Sequence, residues 1–216
     1  NPDESSDINP VDPETDHIQG NPDADLFIIE YSDLECPFCK RYHETVMKPL
    51  AEEYAAGGRI AFVFRHFPLD APYTRVVHAT ATEEAVAAEC VAQLGGNEAF
   101  FTFIDEIFAT TNSDGRFDLD TLPQIAANAG VDQTAFTTCY ENEETKSLVT
   151  ADFEDGRAGG VEGTPAIFAQ SSDGATYEAV ADYDVLKQAI EVFLEENPET
   201  GVSTEGETQT TVPAAE

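Results

Sequence analysis

"SDLECPFCKRYH", residues 32–43, carries two of the chain's four cysteines, Cys36 and Cys39, in a C-x-x-C spacing. That spacing serves two chemistries: half of a zinc site, or a redox pair that opens and closes a disulfide. "LFIIEY", residues 26–31, is a short apolar run leading into the motif and reads as a buried strand. Pro37 follows Cys36 at the first position of a helix, where a missing N–H is no loss. Cys36 is thus expected to face unpaired backbone N–H groups and the positive end of a helix dipole. Cysteines so placed have pKa values of roughly 3.5–7.5 instead of about 8.5. Cys39 lies one turn further in, so Cys36 is the candidate nucleophile and Cys39 its resolving partner.

The zinc reading needs two more ligands. Cys90 and Cys139 are isolated in sequence, His43 could approach on the same helix, and neither a second C-x-x-C nor a C-x-x-H is present. The redox reading needs no metal and no organic cofactor. An inert disulfide is disfavoured, because such close pairs are strained and labile.

Working outward, Tyr42, Val46, Leu50 and Tyr54 step by four along one helical face, with Pro49 expected to kink that helix. Gly57 and Gly58 end it, and "IAFVF" (60–64) is a second buried strand. This is a parallel βαβ unit with a right-handed crossover. Residues 72–158 are helical in composition, broken by Gly and Asn-Ser-Asp-Gly signals, and read as an all-helical insertion. "PAIFAQ" (165–170) and "TYEAVA" (176–181) read as two strands, followed by an amphipathic helix over 182–197 with Asp182 as its N-cap. The fold class is α/β, in the order βαβ, helical block, ββα. Its folded part is 17–71 and 159–196 around the insertion, flanked by Pro- and acid-rich tails, 1–16 and 197–216, expected to be disordered.

The chain holds 43 acids against 10 bases, and six of the acids lie in residues 1–16 and six in 195–216. The folded body is therefore acidic as well. Such a surface resembles that of proteins from salt-loving organisms, where screening relieves self-repulsion. It argues against binding nucleic acid or anionic lipid through a basic patch. No apolar run approaches the ~20 residues of a membrane span.

The strand, the C-P-x-C helix, the second strand, the long helical insertion, and "GVEGTPAIF" (160–168) before ββα together resemble the DsbA-like branch of the thioredoxin superfamily. The resemblance covers about residues 17–196 and rests on "IIEYSDLECPFCKRYH" and "GTPAIF". It implies a thioredoxin-like fold with an inserted helical domain. It also implies that Pro165 is a cis-proline facing the cysteine pair and that Thr164 offers backbone to an incoming peptide. Pro37 and Phe38 are implied at the same peptide-binding surface. Glu30, six residues before Cys36, matches the acid that handles the Cys39 proton. Cys90 and Cys139 match a structural bridge, which would contribute roughly 4 kcal/mol on a chain-entropy basis and would imply an oxidising compartment.

The sequence departs from the best-known member at Phe38, where that enzyme carries a thiolate-stabilising histidine. With Asp33 and Glu35 also close to the thiolate, a less oxidising couple is expected, within the span of roughly −120 to −270 mV. The resulting expectation is an extracytoplasmic, monomeric dithiol oxidase. It would act on reduced exported proteins or peptides and be reoxidised by a quinone-linked membrane partner, with the N-terminal tail a candidate tether. The competing readings are a reductase or isomerase of the same fold, and a non-enzymatic binding or metal-carrier module. His17 reads as surface, His66 as a strand-end residue and His78 as a helix residue. "NSDGRFDLD" (112–120) reads as a surface turn, and Phe100, Phe101, Phe103 and Phe108 as helix core.

Overall fold

A computed structural model describes residues 7–70, 77–113, 117–142 and 145–198. Residues 1–6 of the expected N-terminal tail and 199–216 of the C-terminal one lie outside the described residues. Among the described residues the sheet has five strands, β1 (His17–Gln19), β2 (Leu26–Ser32), β3 (Ile60–His66), β4 (Ala166–Ser171) and β5 (Thr176–Ala179), in the order β1-β3-β2-β4-β5. At its centre β2 (Leu26–Ser32) pairs in parallel with β3 (Ile60–His66), and every residue of both strands is buried. This is the two-faced burial that a continuous apolar run predicts for a parallel pair. β4 (Ala166–Ser171) runs antiparallel to β2, and β5 (Thr176–Ala179) antiparallel to β4.

The crossover between β2 and β3 is α1 (Pro37–Tyr42), a π-helical turn over His43–Met47, and α2 (Lys48–Tyr54). Pro49 has no N–H for the Thr45 carbonyl, so the chain widens before α2 instead of breaking. Tyr42, Val46 and Leu50 pack with Ile28 and Phe62 on one sheet face, closed by Leu186 and Ile190 of α7 (Tyr183–Glu196). Asp182 caps α7 by accepting from the Val185 N–H at 3.1 Å.

The helical block comprises α3 (Ala81–Thr110), α4 (Leu122–Asn128), α5 (Gln133–Glu141) and α6 (Lys146–Ala158). Gly96, at φ 75°, breaks α3 where the sequence has "GG". Phe100, Phe103 and Phe108 are buried, and Phe101 packs at the margin of the same core. Cys90 of α3 and Cys139 of α5 form a disulfide with Cα atoms 5.8 Å apart. Gly156 lets α6 lie on the sheet, since a Cβ there would sit 2.8 Å from Tyr31 and 2.9 Å from Phe67. Among the described residues, no helix is long and apolar enough to cross a membrane.

Two expectations are corrected. The segment before His17 is not a free tail over residues 7–16, because Ile8 is buried against the sheet. The Asp16 carboxylate accepts from Arg65 at 2.7 and 2.8 Å. Arg65 is itself buried and also meets Asp155 at 2.9 Å. A buried guanidinium requires anions, and that demand orders a segment whose composition reads as tail. His17 is not a surface residue either. It opens β1 (His17–Gln19), a short strand antiparallel to β3, and is buried.

Candidate active site

Cys36 is the N-cap of α1, with extended backbone (φ −76°, ψ 122°), and Pro37 starts the helix. Its thiol lies 3.6 Å from the Thr164 carbonyl oxygen, which it faces across the cis Thr164–Pro165 peptide bond. Cys36 is 3% exposed and Cys39 fully buried, both as thiols. Hydrogen bonding from Cys39, then from Thr164 and the N–H groups of Cys39 and Phe38, outweighs burial and lowers the Cys36 pKa to about 6. Burial, then the adjoining Cys36 and Glu30, pushes the Cys39 thiol well up. The two sulfurs of one motif are thus driven apart in acidity.

Beneath them, Glu30 of β2 is fully buried. Burial raises its pKa to about 7, against the opposing effects of His43 and of the Ser32 hydroxyl. Ser32 donates to Glu30 Oε1 at 2.7 Å, and its hydroxyl works against the burial that raises the Cys39 thiol. Among the described residues Glu30 Oε2 has no hydrogen-bond partner, so no donor on that oxygen offsets the burial that holds its pKa up.

Of the two acids expected to oppose the thiolate, Asp33 is met by three donors and Glu35 is set against a second carboxyl. Asp33 is buried and accepts from the Glu35 N–H (2.8 Å), the Leu69 N–H (2.7 Å) and His78 Nδ1 (2.9 Å). The hydrogen bond to Asp33 raises the His78 pKa and so favours its charged form. Glu35 is buried against Glu84 of α3, and burial first, then Glu35, drives Glu84 up to about 10. Glu84 accordingly keeps its proton near neutrality. Sequence reading missed Ser32, His78 and Glu84. In a chain with 43 acids, a glutamate in an Ala-rich helix carries no signal that it is buried.

Phe38 projects from the motif at 68% exposure. It borders a cleft with Arg41, Val46, Thr164, Pro165 and Tyr183. Cys36, Cys39, Pro37, Phe38, Glu30, Thr164 and Pro165 therefore meet at one place. Cys90 and Cys139 lie in the helical block.

A family model described as thioredoxin matches residues 12–192. The chain belongs to the thioredoxin family. Within its superfamily this thioredoxin-family chain is DsbA-like. It is similar to DsbA2 of Pseudomonas aeruginosa at 28% identity, with a TM-score of 0.65, over 85% of this chain and 97% of that one. It superposes on oxidised BdbD of Bacillus subtilis with a TM-score of 0.72, over 89% of this chain and all of that one. At 18% identity that second likeness concerns the fold. Among curated relatives, a Na(+)/H(+) antiporter, NhaA 1 of Mycolicibacterium gilvum, is 31% identical over 186 residues, or 85% of this chain. The chain spans only 27% of that relative's length.

Proposed function

We propose that the chain is an extracytoplasmic thiol–disulfide oxidoreductase that works as a dithiol oxidase. The observation that carries this is the acidity split within the motif, with Cys36 lowered to about 6 and Cys39 pushed well up. A stabilised Cys36 thiolate stabilises the reduced enzyme, which makes the disulfide form an oxidant. The DsbA-like neighbours and the Cys90–Cys139 bridge support an oxidising compartment. The likeness to a segment of Na(+)/H(+) antiporters supports work beside a membrane.

In the oxidised enzyme a substrate thiolate attacks Cys36 Sγ, forming a mixed disulfide and expelling Cys39 as thiolate. Glu30 supplies the proton for that thiolate. The substrate's second thiolate then attacks its own sulfur in the mixed disulfide and releases the Cys36 thiolate. The substrate loses two electrons and gains a disulfide, and the enzyme becomes a dithiol. The substrate segment lies along Thr164 and Pro165, against Pro37 and Phe38. Substrates are reduced exported proteins or peptides, the enzyme is monomeric, and a quinone-linked membrane protein takes the electrons. The test is the redox equilibrium of the Cys36–Cys39 pair with glutathione in high salt. A potential well above thioredoxin's roughly −270 mV supports the oxidase, and one at or below it rejects the reading in favour of a reductase.

A further inference from the structure

Away from the cysteine motif, His17 of β1, His66 at the end of β3 and Glu89 of α3 converge in the interior. One donor atom from each lies within 4.8 Å of the others. His17 Nε2 is 2.8 Å and His66 Nε2 is 3.4 Å from the same oxygen, Glu89 Oε1. His66 is fully buried, and among the described residues its Nδ1 has no hydrogen-bond partner while its Nε2 meets only the Glu89 carboxylate, at a long 3.4 Å. A buried ring left short of partners is costly, so the position asks for a ligand or a chemical reason.

The surroundings hold the rings ready. His17 Nδ1 lies 3.2 Å from Asn97 Oδ1. Donation from Nδ1 to that oxygen is the outer contact that orients a metal-binding imidazole and leaves Nε2 to coordinate. Phe100 stacks on the His17 ring at 3.7 Å, and Phe64 meets the His66 ring edge-on at 5.2 Å. A cleft lined by Glu14, Gln93 and Asn97 opens onto His17 and Glu89 and gives a cation a path to them.

We infer that His17, His66 and Glu89 bind a divalent transition-metal ion, Zn²⁺ foremost. Two imidazole nitrogens and one carboxylate oxygen suit that ion, whereas Ca²⁺ and Mg²⁺ favour oxygen-only sets. Tetrahedral bonds of about 2.0–2.2 Å place donor atoms roughly 3.3–3.6 Å apart. The His66–Glu89 separation of 3.4 Å already has that value, the His17–Glu89 separation of 2.8 Å must widen, and all three donors lie within 4.8 Å of one another. Three protein ligands leave a fourth position for water. Such an ion would clasp β1 and β3 to the helical block and stabilise that junction by binding.

The test uses the full chain, stripped of metal, with Cys36 and Cys39 oxidised so that no thiolate competes. Titration with Co²⁺ should produce the visible bands of a tetrahedral site at one equivalent, without a sulfur charge-transfer band. Titration with Zn²⁺, followed by nitrogen–proton correlation of the four histidine rings, should move His17 and His66 and leave His43 and His78 in place. Glu89→Gln and His66→Gln should each weaken binding about tenfold or more. The ring spectra need no variant, so a variant that fails to fold does not spare the proposal. It is overturned if Zn²⁺ does not bind at one equivalent, or if it binds while His17 and His66 stay unmoved. In either case the cluster is a hydrogen-bonded core element and nothing more.

Discussion

Glu30→Gln isolates the buried acid from everything else at the site, because Gln keeps the shape and removes the titration. The Glu30 carboxyl rises from its ordinary 4.5 to about 7 in the folded, dithiol protein. The folded state therefore binds this proton more tightly than the unfolded chain. Stability associated with the group is greatest below pH 4.5 and is lost as pH climbs through 7. The shift of 7 − 4.5, about 2.5 units, corresponds to roughly 3 kcal/mol once the group is fully ionised. Urea unfolding of the reduced protein at pH 5 and pH 8, in one high-salt buffer, measures it. Other buried acids titrate in both proteins, so the difference between wild type and Glu30→Gln reports Glu30 alone. The variant should lie within about 1 kcal/mol of wild type near pH 5 and exceed it by up to about 3 kcal/mol at pH 8. Its thiol exchange should slow by roughly a hundredfold or more, the usual worth of a positioned acid–base group. Equal stability differences at the two pH values would refute the burial argument, and unchanged exchange would refute the proton relay.

Thiolate absorbance of the reduced protein should rise with a midpoint near pH 6 and vanish in Cys36→Ser, while Cys39 contributes nothing through neutrality. Asp33→Ala strands the Leu69 and Glu35 N–H groups and His78 in the interior; denaturant titration should show a loss of about 2–4 kcal/mol. Arg65→Met leaves Asp16 and Asp155 buried without their partner. It should cost roughly 3–5 kcal/mol and open residues 8–16 to proteolysis, and unchanged cleavage would argue against the anchoring of that segment. Reducing or replacing the Cys90–Cys139 bridge, whose ends are 49 positions apart, should cost about 4 kcal/mol while leaving the Cys36 thiolate titration intact.

Much of this was legible in one dimension, because the signals are local. Pro37 after Cys36 starts a helix whatever packs on it, and that alone points the thiol at free N–H groups. The apolar runs at 26–31 and 60–64 mark strands buried on both faces. Gly96 marks the break in α3. What the sequence could not decide is which charges are buried and what they face. Asp16, Asp33, Glu84 and Glu89 look like the chain's other acids until folding sets them beside Arg65, His78, Glu35 and the pair His17–His66. Those contacts join residues far apart along the chain, and their energies depend on desolvation, a property of the packed interior that no window of sequence contains. The motif's identity was therefore written locally. The acidity of its two sulfurs, the proton state of Glu30 and the order of the N-terminal segment arise only from tertiary structure.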